Sequence, residues 1–349
     1  ALQEPVLLHL ITQKGRGFAP AEKTPQDFHG VGRFDPASGR PMGQNRNTFS
    51  GAFGAELTRL AHSDEHLCAI TAAMRCGTGL DGFARAFPRR FFDVGIAEGH
   101  AVCMAAGLAK QGMLPVVAIY STFLQRSFDM LLHDVAILNL HVVFAVDRAG
   151  LVGADGETHH GMFDVGYLRE VPGMQIFCPA SLAELRRMLQ MALYDCKGPV
   201  AVRYPTGGEG QYQDCHTSTL IEPGEDCTLV TYGTLYNEAL RARELCAEKG
   251  VSLELLKLAT LTPPDLDAVE ASVRRTGRLV VAEEVSDHGC IADELFAALE
   301  ARGVQARCRK RNLGGGFVTH GARGELLAAC ALDGQSLYET VMEETAREE

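Results

Sequence analysis

The chain has 349 residues, enough for two domains that each bury a core. Its 33 Lys and Arg against 44 Asp and Glu leave a formal charge of -11, which argues against a nucleic-acid footprint or attachment to an anionic membrane surface. No apolar run approaches the ~18–20 residues of a membrane span, and the first residues lack the basic and apolar regions of a secretion signal, so a cytoplasmic chain is expected.

In chain order, ALQEPVLLHLIT starts without Met and already follows a strand pattern over 5–12, as if the chain entered in mid-domain. A fragment, a processed product and one half of a split enzyme would all read this way. Residues 13–47 read as a long irregular connection, a length that suggests function or the remains of a domain. Short β-branched runs then recur at 67–74, 115–120, 141–147, 174–179 and 199–205, with amphipathic helix candidates at 48–62, 98–111, 124–138 and 181–194. This alternation predicts a parallel sheet covered on both faces. The polar, Gly-rich stretch 206–219 reads as a linker. Alternation restarts with strands at 227–233, 251–258, 278–284 and 304–310 and helices near 236–249, 288–302 and 334–346. The expected fold class is therefore α/β, two doubly wound parallel-sheet domains. The eleven cysteines contain no C-x-x-C pair and are expected to be mostly small buried hydrophobes, not a disulfide framework or a zinc site.

Four clusters could carry chemistry. DRAGLVGADGETHHG (147–161) follows a strand, where open α/β sheets place ligands, and holds Asp147, Arg148, Asp155, Glu157, His159 and His160; a solvated loop is the plain alternative. The His spacing gives little support to a metal site. AIYSTFLQRSFD (118–129) carries Tyr120, Phe123 and Arg126, and Phe123 alone would read as core. VRYPTGG ends a strand with Arg203, which could clamp an anion or pair with a carboxylate. KGRGFAPAEKTPQDFHGVGRFDP (14–36) offers Lys14, Arg16 and His29 in a Gly- and Pro-rich setting. Glu98, in FFDVGIAEGHAVCMAAGLAKQG, stands before an Ala/Gly-rich helix, where a first-turn carboxylate favoured by the helix dipole is the ordinary explanation.

The order and spacing of these motifs resemble the 1-deoxy-D-xylulose-5-phosphate synthase family of thiamine-diphosphate enzymes, in the transketolase superfamily. The resemblance runs over essentially the whole chain and rests on FPRRFFDVGIAEGHAV, YSTFLQRSFDMLLHDVAI and DRAGLVGADGETHHGMFD. It implies a condensation of pyruvate with glyceraldehyde 3-phosphate with loss of carbon dioxide, at the start of isoprenoid precursor synthesis. It further implies that Glu98 hydrogen-bonds the cofactor's pyrimidine N1′ and so activates it, that Phe123 stacks on the pyrimidine, and that Arg126, Lys14 and Met74 lie close to the cofactor. Tyr120, Arg148, Asp155 and His159 would line the substrate pocket, Arg203 would meet the acceptor phosphate, and His29 and His159 would transfer protons or hold a carboxylate. The family's Gly-Asp-Gly motif for Mg2+ and the diphosphate is absent, so those ligands are expected in another domain and none in this chain. The implied organisation is a tail and linker over 1–44, a pyrimidine-binding domain over 45–210 and a C-terminal domain over 218–349. A homodimer, or an assembly with a diphosphate-binding half, is the implied state, with no nucleic-acid or membrane partner. The β-type half of a split transketolase or of a 2-oxo acid dehydrogenase, and a non-catalytic partner chain, are the competing readings.

Overall fold

The computed structural model describes residues 3–25, 28, 31–40, 42 and 47–346. It divides into two compact units, Ala1–Arg46 and Asn47–Glu349. In the first, the apolar run 5–12 forms no strand: it stays irregular with Leu7 94% exposed, because a strand needs a ladder partner for its backbone groups. The segment that follows is more ordered than an irregular connection. It contains a short helix, Ala19–Lys23, and a cluster of Phe18, Phe28 and Phe34 with ring centres 5.4 to 5.7 Å apart.

Among the described residues, twelve strands run through the second unit. They are β1 (Leu67–Thr71), β2 (Phe91–Asp93), β3 (Leu114–Tyr120), β4 (Val143–Asp147), β5 (Gln175–Phe177), β6 (Val200–Arg203), β7 (Leu220–Glu222), β8 (Cys227–Tyr232), β9 (Leu253–Leu258), β10 (Thr260–Thr262), β11 (Arg278–Ala282) and β12 (Arg307–Arg311). Among the described residues they form a seven-stranded sheet, β10-β5-β6-β4-β3-β1-β2, and a five-stranded sheet, β12-β11-β8-β9-β7. The central strands β1, β4, β6 and β8 are buried along their whole length, which is why they read as continuous apolar runs without alternation. Burying each such Val, Leu or Ile contributes roughly 1.5–3 kcal/mol.

Both sheets are mixed, because each carries one antiparallel edge strand, β10 against β5 and β7 against β9. These two strands are three residues long, too short to show in a hydrophobic pattern. β10 also joins the first sheet although its sequence lies among the elements of the second.

The stretch 206–219 is no free linker. The Tyr212 hydroxyl donates to Glu184 (2.6 Å), the Glu209 carboxylate accepts from the Leu182 N–H (2.8 Å), and Ser181 donates to the Asp214 carbonyl (2.6 Å). The cysteines also depart from expectation: all eleven are free, but only five, Cys68, Cys178, Cys227, Cys246 and Cys290, are buried. Cys76, Cys103, Cys215 and Cys308 are exposed, so residue type alone was a poor guide to their packing.

Register sets the position of the candidate site. Thr71 pairs with Asp93 and Ala118, Tyr120 with Asp147, and Val146 with Arg203. The carboxyl ends of four of the parallel strands therefore present Asp93, Tyr120, Asp147 and Arg203 along one edge.

Candidate functional site

The turn after β2 delivers Glu98. Asp93 Oδ1 accepts from the Ala73 N–H (2.8 Å) and the Gly95 N–H (3.1 Å), and Gly95 takes a φ of 70°, which a side chain would resist. Helix Glu98–Lys110 starts three residues later, so the carboxylate lies in the first turn, where the dipole favours it. Unlike an ordinary helix-start acid, its side chain is only 5% exposed.

Its partner comes from a broken helix. A continuous helix over 124–138 is expected from the periodicity, but the chain instead runs through an α turn (Ser121–Leu124), a 3-10 turn (Gln125–Ser127), a further α turn (Phe128–Met130) and a π-helical turn (Leu131–Ala136). Such changes of pitch redirect individual side chains and often mark functional segments. Here the 3-10 turn carries Arg126, whose Nη1 lies 2.5 Å from Glu98 Oε1 and whose guanidinium sits 5.0 Å from the centre of the Phe123 ring.

Phe123 links this pair to the other candidates. It stacks on Tyr120 at 5.8 Å and 22°, and it meets the edge of the His159 ring at 5.3 Å and 76°. The Tyr120 N–H donates to Met74 Sδ (3.4 Å), and burial pushes the Tyr120 hydroxyl up to about 12. At Gly77 a Cβ would fall 1.7 Å from that hydroxyl oxygen, so a larger residue there would push the Tyr120 ring out of its place. The Thr158 hydroxyl lies 2.8 Å from His159 Nδ1.

Arg148 closes the other side, with a φ of 59° that turns it back over the Tyr120 ring at 3.7 Å. Its Nη1 donates to the Gly77 carbonyl (3.0 Å) and to Asp147 Oδ1 (3.1 Å). Asp147 is fully buried; desolvation raises its carboxyl to about 6, with the Arg148 charge opposing the rise. Asp147 Oδ2, Ser121 Oγ and Ser127 Oγ are buried without a hydrogen-bond partner. Orphaned polar atoms at one end of a sheet suit a site that takes a polar ligand.

The structure thus brings together Glu98, Phe123, Arg126, Met74, Tyr120, Arg148 and His159. Asp155 lies on the same loop as His159, in the turn Gly153–Asp155, with its side chain exposed. Arg203 is set apart and buried: Nε donates to Asp164 (2.8 Å) and Nη2 to the carbonyls of Gly161 (3.3 Å) and Glu284 (3.1 Å). It lines a small cleft with Tyr232, Gly233, Thr234 and Glu284. Lys14 belongs to the first unit, exposed in the turn after Gln13, and His29 lies outside the described residues. Among the described residues, no three His, Cys, Asp or Glu are grouped to hold a metal ion. Sequence reasoning overlooked Asp93 and Gly77. The Asp-x-Gly spacing in FFDVG was a usable signal for Asp93, whereas Gly77 is explained only by the tertiary approach of Tyr120.

Residues 46–208 match the family described as "Transketolase, pyrimidine binding domain", and residues 217–337 match "Transketolase, C-terminal domain". The chain belongs to the transketolase family. Within it, the sequence is 46% identical over 331 residues to 1-deoxy-D-xylulose-5-phosphate synthase of Desulforudis audaxviator, covering 92% of this chain and 52% of the relative. It is 43% identical over 343 residues to 1-deoxy-D-xylulose-5-phosphate synthase 1 of Geobacter sulfurreducens, covering 95% and 54%. The chain spans about half the length of the curated relatives it matches. Among solved structures, a split-gene transketolase described as an inactive beta4 tetramer superposes with a TM-score of 0.74 at 26% identity, over 86% of this chain and 98% of that one. Campylobacter jejuni transketolase, at 16% identity and a TM-score of 0.69, shares the fold. No described helix is long and apolar enough to cross a membrane.

Proposed function

We propose that this chain supplies the pyrimidine-side half of a thiamine-diphosphate site in a 1-deoxy-D-xylulose-5-phosphate synthase, which joins pyruvate to glyceraldehyde 3-phosphate with loss of carbon dioxide. The observation that carries the reading is the Glu98 carboxylate, buried at a helix start and paired with Arg126, whose guanidinium sits over the Phe123 ring, with orphaned polar atoms at Asp147, Ser121 and Ser127. Those residues fit an aminopyrimidine: a carboxylate for a ring nitrogen, an aromatic face and unmet polar atoms at the rim. When bound, the cofactor would supply the electron sink for the pyruvate-derived carbon.

In this reading Glu98 holds a proton against the pyrimidine nitrogen, and Phe123 fixes the plane of the ring. Arg126 and Met74 would border the cofactor. His159 would move a proton or hold a carboxylate beside the same ring, while Tyr120, Arg148 and Asp155 would orient the substrates. Arg148 is already positioned by two acceptors, so little ordering remains when an anion binds. Arg203 would need to release part of its contact with Asp164 to meet a phosphate, which makes it the weakest of these assignments. His29 and Lys14 retain the roles the family resemblance implies.

Mg2+ and the diphosphate would be held by a second half, in the same polypeptide or in another. The domains would divide near residues 44, 210 and 218. A partner-dependent chain is in keeping with the likeness to the split-gene transketolase, whose described tetramer is inactive. Exposed Ile96 and Ile137 near the Glu98 helix would then be covered in a homodimer or hetero-assembly. Calorimetric titration with thiamine diphosphate and Mg2+, with and without a diphosphate-binding half, tests the reading. Binding and synthase turnover should appear only with the second half, and Glu98→Ala should lower turnover about 10²–10⁴-fold. Near-normal turnover of that variant would refute the role given to Glu98.

A further inference from the structure

The two adjacent histidines of the ADGETHHG loop face opposite ways. His159 points to Phe123, whereas His160 is 2% exposed and turned toward the second sheet's elements. His160 Nδ1 accepts from the Val152 N–H (3.1 Å), and its Nε2 lies 3.0 Å from the Thr319 carbonyl. A backbone N–H can only donate and a carbonyl can only accept. These two partners therefore require a neutral ring with its proton on Nε2.

The surroundings leave this contact little freedom. A Cβ at Gly153 would lie 3.2 Å from the Gly321 carbonyl, and one at Gly156 3.1 Å from His320 Cβ, so the loop lies directly against 319–321. Beside it, Glu284 Oε2 accepts from the Leu151 N–H (3.0 Å) while Oε1 pairs with Arg323. His159 and His160 both return their backbone N–H to Gly156, at 3.0 and 3.2 Å, so the two rings turn as one piece of backbone.

We propose that His160 is a positioning residue: as the neutral Nε2-protonated tautomer it clamps the 148–161 loop to residue 319 and so holds His159 against Phe123. The part concerning His159 rests on the function proposed above, but the clamp itself does not. The charged groups on the segments packed round His160 are Arg148, Asp155, Glu157 and His159 on its own loop, Glu284, and His320, Arg323 and Glu325 beyond Thr319. Protonation of His160 would set two donors, Nδ1–H and Val152 N–H, against each other. The hydrogen-bond geometry is therefore that of the neutral ring alone.

Amide hydrogen exchange on the intact 349-residue chain tests this without any ligand. His160→Leu removes both bonds at similar volume and should speed exchange at Val152 and through 150–161 by at least ~10-fold, with Phe144 and Val230 in the two sheets unchanged. His160→Gln can accept at Val152 and donate to Thr319, and should restore protection. Unchanged exchange in the Leu variant, or a Gln variant as unprotected as the Leu variant, overturns the clamp. If the Leu variant also loosens Phe144 and Val230, the Gln variant decides. Turnover of an assembled synthase provides the second readout: kcat should fall in the Leu variant and recover in the Gln variant. If the assembled, unmodified chain has no turnover, the cofactor reading fails while the exchange result still judges His160.

Discussion

Glu98 and Glu184 make an instructive pair. Both are buried glutamates in the first turn of a thirteen-residue helix, and both have one cationic partner. Around Glu184 four donors converge: Lys257 Nζ at 2.8 Å, the Tyr212 hydroxyl at 2.6 Å, and the N–H groups of Ala180 (2.7 Å) and His216 (3.1 Å). Both side chains of that ion pair are 0% exposed. Glu98 instead has one side-chain partner, Arg126, which is 52% exposed. The same residue type thus serves a closed structural junction in one place and an open, incompletely satisfied edge in the other. The number of donors around the carboxylate distinguishes the two.

Breaking the closed junction should have the largest effect. Lys257→Met leaves the Glu184 carboxylate buried without its cation and should cost about 3–5 kcal/mol in chemical denaturation; a loss below about 1 kcal/mol would show the junction to be dispensable. Asp147 comes next. Its carboxyl, raised to about 6, stays protonated in the folded chain while the unfolded one ionises near pH 4. Stability should therefore fall by up to about 3 kcal/mol as pH rises from about 4 to about 6 and stay lower above it. Thermal unfolding of Asp147→Asn across that range should lose this slope. Ser181 caps the Glu184 helix by accepting from the Glu184 N–H (3.0 Å), and Ser181→Ala should cost about 1 kcal/mol. At the open edge, Glu98→Gln should alter stability by less than about 1 kcal/mol, because its partner is half exposed. A loss of several kcal/mol there would abolish the contrast with Glu184.

Much of this was legible in the sequence. Thr48 and Ser181 are cap residues ahead of apolar periods, and the helices they start lie at Phe49–Ala61 and Leu182–Tyr194, close to the expected 48–62 and 181–194. The strand-end motifs around Tyr120 and Arg148 did converge, because parallel strands in register place their carboxyl ends together. Other features depend on contacts distant in the chain. Nothing in VSLELLKL says that Lys257 is buried, since its partner is 73 residues away. Arg203 looked free to meet an anion because Asp164 and the Glu284 carbonyl are invisible from VRYPTGG. The pitch changes between Ser121 and Ala136 are equally hidden, because the stretch contains no Gly or Pro to announce them.

The short strand β10 has one further consequence. By adding to the edge of the first sheet from within the sequence of the second region, it ties the melting of one sheet to that of the other. Residues 47–346 should accordingly lose heat-absorbing structure in one cooperative step, and a chain cut near 210 should expose the β5 edge and tend to self-associate. Two separated calorimetric transitions would show that the seam yields before either sheet does.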